Sequence, residues 1–330
     1  MHEAPVHPST AVPWTRLWRT GVLHSCATGI SGNYDDEVAR FWQLRFASLR
    51  DGATLVDVGT GNGAIPLLAH STADHRGEHW QIHGVDLADI DPPGVAGEAA
   101  GRYGDIRFHP NTSMTELPFA DGSVDLVCSQ FAFEYAPRER AAREILRVIG
   151  KDGRAAMVLH SDDSVIHRIS RSQAEACTWL LRESRIFDTA RSLLQYLAGA
   201  KDAEMRSRLQ LDPQAESARA AFNEAATLLM ERIEHAPDAR VLQTLAQELG
   251  RMLQHPWNSP DDADIAVGSL RAWAQDEHAR LELMLEAALD PTALQDVARL
   301  FGETGLPVRT GKLLYQNAIP MGWTLVIGHE

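Results

Sequence analysis

Residues Leu55 to Leu68 read LVDVGTGNGAIPLL: an apolar run ending at Val58, a turn through Gly59-Thr60-Gly61-Asn62-Gly63, and a second apolar run from Ala64. A short apolar run closed by glycines is a buried strand, and the run that follows begins a helix. The strand is predicted over Thr54 to Val58 and the helix from Ala64. Gly59, Gly61 and Ala64 also satisfy the G-x-G-x-x-A fingerprint, in which glycines let the backbone approach a ligand at a helix N-terminus. The turn by itself suits more than one nucleotide-type cofactor.

The same grammar continues outward. Before the turn, Val38, Phe41, Trp42 and Phe46 recur at helical spacing between Asp35 and Leu49, and Asp51-Gly52 breaks the chain. After it, strands are expected at Trp80 to Asp86, Asp105 to His109, Val124 to Ser129 and Arg154 to His160, with a helix over Arg138 to Val148. Strands alternating with helices make βαβ units and a parallel sheet. From Ser164 to about Ala288 the periodicity is helical throughout, as in Leu193, Leu194 and Leu197 or Leu242, Leu245 and Leu249. Breaks at Asp212-Pro213, Ala236-Pro237 and Ser259-Pro260 place proline where helices start. A further helix follows Asp290-Pro291. Two strands, Val308 to Asn317 and Trp323 to Gly328, then flank an expected turn at Ile319-Pro320-Met321-Gly322, and so short a link makes them antiparallel. Three parts result: an N-terminal arm or lid (1–34), an α/β core (35–161 and 290–330), and an all-helical insertion (162–289) expected to cap the carboxyl ends of the strands.

Composition narrows the partners. The formal charge of −14 over 330 residues disfavours nucleic acid and anionic membrane surfaces, which reward basic faces. Cys26, Cys128 and Cys177 are scattered without a C-x-x-C pair, which fits a reducing compartment and gives no zinc site. No apolar run is long enough to span a bilayer, and the start MHEAPVHPSTAVPW lacks a signal-peptide layout, so a cytoplasmic location is expected. No metal is expected. The composition sets no oligomeric state.

Four stretches together carry a family resemblance: LVDVGTGNG, the strand-end acid of IHGVDLA, the segment LPFADGSVDLVCSQFAFEY, and the closing LLYQNAIPMGWTLVIG. The chain resembles the class I S-adenosylmethionine-dependent methyltransferases, in particular the small-molecule branch called methyltransferase type 11, over about 35–161 and 290–330. The resemblance implies a Rossmann-like sheet of seven strands, parallel except for a final strand inserted by a C-terminal hairpin. It implies S-adenosyl-L-methionine as cofactor and a small-molecule substrate carrying an oxygen or nitrogen acceptor.

The resemblance also assigns residues. Gly59, Thr60, Gly61, Asn62 and Gly63 form the cofactor loop. Asp57, just before it, has the family's place near the ammonium of the methionyl tail, where a nicotinamide enzyme more often has an aliphatic residue. Asp86, with Leu87 beside it, ends the second strand, where a carboxylate accepts from ribose hydroxyls in either cofactor class. Near the adenine edge the family's usual acid is replaced by Ser113, whose hydroxyl accepts more weakly, and Met114 can offer its amide or lie on the ring. Gln130 and Phe131 follow the fourth strand, where cofactor and substrate meet. Glu134, Tyr135 and His160 lie at carboxyl ends of strands, where open α/β sheets bind ligands. A neutral His160 can act as general base with Tyr135 orienting the acceptor, or it can hold Ser161-Asp162-Asp163. Glu134 can serve the site or cap the helix near Arg138. Trp14, Trp18, Trp179 and Trp273 are read as packing residues, His24 and Cys26 as loop residues that can approach the pocket from the arm but give no metal or nucleophile signal, and Asp261 and Asp264 as a solvated helix start. Two other functions fit parts of the pattern: a NAD(P)-dependent oxidoreductase, and a protein that binds cofactor or partners without catalysis.

Overall fold

The computed structural model describes residues 11–25, 32–200, 203–303 and 305–329. Cys26 and the first ten residues lie outside the described ones. Along the chain run α1 (Val12–Trp18), α2 (Asp36–Phe46), β1 (Thr54–Val58), α3 (Ala64–Arg76), β2 (Gln81–Val85), α4 (Pro92–Ala96), β3 (Arg107–His109), β4 (Leu126–Gln130), α5 (Arg138–Ile149) and β5 (Arg154–Leu159). Then come α6 (Val165–Arg182), α7 (Ile186–Gly199), α8 (Ala203–Leu209), α9 (Pro213–His235), α10 (Arg240–Gln254), α11 (Pro260–Ala287), α12 (Pro291–Gly302), β6 (Val308–Tyr315) and β7 (Ile319–Ile327).

The strands form one seven-stranded sheet in the order β3-β2-β1-β4-β5-β7-β6. Neighbours from β3 through β5 are parallel, and β7 runs antiparallel to both β5 and β6. That is the Rossmann-like methyltransferase sheet that the resemblance implies. Side chains alternate between its faces, as a period of two requires. Leu55, Leu126 and Val158 join Trp42 and Phe46 of α2 on one side. Val56, Val127 and Met157 join Ile145 of α5 and Phe301 of α12 on the other. Both layers are apolar, so the strands read as continuous hydrophobic runs.

The C-terminal turn is not where the sequence placed it. The reversal is made by Gln316 and Asn317, both at positive φ (49° and 56°), and Ile319-Pro320-Met321-Gly322 already belongs to β7. Leu313 pairs with Gly322 and Leu314 with Pro320, so Met321 is an extra residue in a register shift. A bulge of this kind accommodates a proline within a strand.

The chain divides into two compact units, one ending at Arg168 and resuming at Leu283, the other Ile169–Glu282. These limits fall inside α6 and α11. In the second unit, Leu193 and Leu194 of α7, Phe222 and Leu229 of α9, and Leu242, Leu245 and Leu249 of α10 are buried. Asp212 caps α9 by accepting from the amides of Gln214 and Ala215, with Pro213 in the first turn. Such a cap contributes about 1 kcal/mol. Helix α10 starts at Arg240, three residues past Pro237, where Asp238 accepts from the Arg240 amide. Asp264 is ion-paired with Arg191 at 2.5 Å, not merely solvated.

At the base of the insertion the chain closes on itself. Ser161 and Leu289 form a parallel bridge. The Leu289 amide donates to His160 O at 2.9 Å, and Leu289 O accepts from the Asp162 amide and the Trp323 indole.

Candidate active site

A cavity of about 360 Å³ lies in the first unit at the carboxyl ends of β1, β2 and β4. Asp57, Gly59 and Thr60 line it from the β1 turn, Asp86 and Leu87 from β2, Ser113 and Met114 from the loop after β3, and Gln130, Phe131 and Tyr135 from β4 and its extension. The structure thus gathers ten of the residues singled out in the sequence. Gly61, Asn62, Gly63, Glu134 and His160 do not line the cavity, and each shapes it from behind.

The loop folds as it does because its glycines take conformations others resist. Gly59 has φ +71°, and a Cβ there would come within 2.2 Å of the Ala132 side chain. Its close approach to the chain after β4 keeps the two strand ends together. Gly61 donates its amide to Asp86 Oδ2 at 2.8 Å, and the Trp18 ring covers its Cα. Asn62 is buried, and its Nδ2 donates to the carbonyls of Trp18 (2.8 Å) and Val22 (2.7 Å). The glycine loop therefore tethers the N-terminal arm directly. Gly63 is the N-cap of α3 and abuts Phe108 and Tyr103.

Several polar atoms on the wall are buried without hydrogen-bond partners: Asp57 Oδ1, Thr60 Oγ1 and Gln130 Nε2. Such atoms cost about 1–3 kcal/mol each unless a ligand answers them. Burial pushes the Asp57 carboxyl up to about 8; the nearby Thr60 hydroxyl opposes the rise without completing a bond, and the Asp86 charge adds to it. Asp86 is pushed up to about 6 by burial, against the Ala88 and Gly61 amides, which donate to its two oxygens. Gln130 is held by the Trp42 indole, which donates to Oε1 at 2.6 Å. Since an indole N–H can only donate, Gln130 must turn its NH2 group away from Trp42. The Ser113 hydroxyl accepts from the Thr115 amide at 3.2 Å and shares a 2.8 Å contact with the Thr115 hydroxyl.

Behind Phe131 and Tyr135 lies a buried pair. Glu134 Oε1 accepts from the His160 amide at 2.6 Å and contacts His160 Nδ1 at 2.7 Å. A carboxylate at Nδ1 places the ring proton there and leaves Nε2 as the basic atom. Glu134 is thus bonded to His160 in place of capping the helix near Arg138. The His160 ring lies 4.5 Å from that of Phe131 and 5.8 Å, edge-on, from that of Tyr135. Phe131 itself holds a positive φ of 54°. That conformation costs about 1–3 kcal/mol in a non-glycine residue and persists only where surroundings impose it.

Sequence reasoning missed part of the wall. Trp14 and Trp18, read as packing residues, line the cavity with Leu23, His24 and Tyr34. Trp14 stands 6.1 Å from Trp18 at 23° and 5.5 Å from Tyr135 at 76°. Their i, i+4 spacing was a visible signal that both share a helix face. Nothing in the spacing told which surface that face meets. Among the described residues, no group of three or more His, Cys, Asp and Glu is placed to hold a metal ion. No described helix is long and apolar enough to cross a membrane.

A sheet with an antiparallel β7 between β5 and β6, a glycine loop after β1 and an acid after β2 make the Rossmann-like arrangement of class I methyltransferases. Residues 56–157 match the family model described as a methyltransferase domain. The matched stretch runs from within β1 to within β5. It is similar to an uncharacterized methyltransferase of Mycobacterium sp. (strain JLS), 32% identical over 127 residues, covering 36% of this chain and 44% of that protein. It is also similar to a malonyl-[acyl-carrier protein] O-methyltransferase of Geobacter sulfurreducens, 35% identical over 126 residues, covering 37% and 44%. Among solved structures, a geranyl diphosphate C-methyltransferase from Streptomyces coelicolor A3(2) aligns at 19% identity with a TM-score of 0.34, covering 48% of this chain and 67% of that one. The chain spans less than half the length of the curated relatives it matches.

Proposed function

We propose that the protein transfers a methyl group from S-adenosylmethionine to an oxygen or nitrogen of a small molecule seated in the cavity. The observation that carries this reading is the set of orphaned polar atoms, Asp57 Oδ1, Thr60 Oγ1 and Gln130 Nε2, on one wall at the ends of β1 and β4. An acceptor, a hydroxyl and a donor at that place suit a zwitterionic amino-acid tail. When bound, the cofactor supplies a methyl group that is already strongly electrophilic, so the protein has mainly to align, exclude water and manage a proton.

The chain's residues divide that work. Asp57 accepts from the ammonium, and Gln130 donates to the carboxylate. Asp86 spends one lone pair of each oxygen on a backbone amide and retains others for ribose hydroxyls. Ser113 and Met114 meet the adenine edge. Tyr135 orients the acceptor, and His160 takes its proton at Nε2. Glu134 acts through His160 and is a positioning residue.

The test is calorimetric titration with S-adenosylhomocysteine, followed by incubation of a metabolite extract with isotopically labelled methyl donor. Micromolar binding and one labelled small-molecule product are expected. Absence of binding by a folded protein refutes the reading.

A further inference from the structure

We propose that the acceptor is an amine on a flat apolar body, cationic when it arrives, and that carboxylates and phosphates are excluded. This rests on the methyl-transfer reading above and narrows its substrate. The first support is the charge of the wall. Among the described lining residues the carboxyl groups are those of Asp57 and Asp86, and there is no Lys or Arg. Residues 1–10 and 26–31 contain no Lys or Arg either. The arm's two arginines, Arg16 and Arg19, are exposed and neither lines the cavity; Arg19 is ion-paired with Asp89 at 2.6 Å. An anionic acceptor would enter without a counter-charge, whereas a recognition site for carboxylate or phosphate is built from Arg or Lys.

The second support is the shape of the apolar part. Trp14, Trp18 and Tyr135 form a corner in which the indoles lie near-parallel and the phenol meets Trp14 at a steep angle. Ring faces carry negative potential and attract ammonium groups, with Trp the strongest, while repelling anions. The corner is held rather than fortuitous. Asn62 fixes the Trp18 and Val22 carbonyls, so the indoles are placed by the same loop that forms the cofactor site. The base needed to turn an ammonium into a nucleophile stands behind Tyr135, where Glu134 holds His160.

The experiment compares a pair of probes of matched shape and opposite charge, 2-phenylethylamine and 3-phenylpropionate. Both are titrated calorimetrically into protein saturated with S-adenosylhomocysteine, with geranyl diphosphate as a third probe. The amine is expected to bind at least tenfold more tightly than the carboxylate, and the diphosphate not to bind. Trp14→Leu keeps an apolar wall but removes the ring face, and should weaken the amine fivefold or more with S-adenosylhomocysteine affinity retained. Carboxylate binding that equals or exceeds that of the amine overturns the proposal, as does tight diphosphate binding or silence from both phenyl probes at millimolar concentration. In each of those cases the methyl-transfer reading survives, because S-adenosylhomocysteine has bound. Failure of S-adenosylhomocysteine to bind removes both.

Discussion

Asp57 should make cofactor binding depend on pH in a quantitative way. The carboxyl is buried at the end of β1 with Oδ1 unanswered, and burial pushes it up to about 8. At neutral pH the ligand-free protein therefore holds it largely protonated, yet an ammonium needs the carboxylate. Binding must then expel a proton, and apparent affinity scales with the ionised fraction. From a value of about 8, that fraction rises about eightfold between pH 6.5 and 7.5, close to the tenfold-per-unit limit of one-proton coupling. Titration of S-adenosylhomocysteine at those two pH values, each in two buffers of different ionisation heat, reads both the affinity change and the proton released. Affinity that is flat across this interval, with heats independent of buffer, would refute the reasoning. The folding linkage has the opposite sense. The protonated group stabilises the ligand-free fold; that contribution is complete below the ordinary 3.8 and is lost as pH rises through about 8. Asp57→Asn, which mimics the protonated carboxyl, should accordingly raise Tm at pH 8 while abolishing both the pH dependence and tight binding.

Other outcomes follow from the same geometry. Asp86→Ala should weaken S-adenosylhomocysteine by about 1.5–3 kcal/mol, roughly one to two orders of magnitude, through loss of charge-assisted bonds, as calorimetry will read. Once a substrate is known, His160→Ala and His160→Gln should lose about 10²- to 10⁴-fold in turnover with donor affinity retained; turnover within a few-fold of the parent assigns His160 to structure alone. Asn62→Ala should speed amide exchange in α1 and through Val22, by freeing the Trp18 and Val22 carbonyls, without comparable change in β1 or β4. Gly59→Ala forces a contact with Ala132 at a positive φ and should lower Tm measurably, more than Gly268→Ala, where the space around the Cα is open.

The sheet was legible because each strand is a short apolar run bounded by turn residues, and because the position of Asp57 and Asp86 at strand ends follows from where those runs stop. The hairpin was legible as a hairpin but not in its turn. Ile319-Pro320-Met321-Gly322 looks like a reversal to a reader of propensities, yet a bulge absorbs the proline, and Gln316-Asn317 supply the positive φ angles. The wall contributed by Trp14 and Trp18 was hidden for a different reason. A tryptophan pair on a short helix announces that it must be covered, and only the bonds from Asn62 decide by what. The same holds for Glu134 and His160, which are far apart in sequence: their meeting depends on β4 and β5 being neighbours, which topology supplies and local pattern does not.

The bridge between Ser161 and Leu289 has a consequence for how the chain is wired. Joining two points so distant along a polymer costs entropy that grows only with the logarithm of the separation. Leu289 meets this cost with both of its backbone groups, bonding His160 and Asp162, while Trp323 on β7 binds the same carbonyl. From the sheet's side, everything between Ser161 and Leu289 enters and leaves through a single gatepost, as a two-residue turn would. An excursion wired in this way can lengthen, shorten or exchange its contents without moving the strands on either side. The residue at the threshold is His160, whose carbonyl accepts from the Leu289 amide, so the latch and the proposed base belong to one residue.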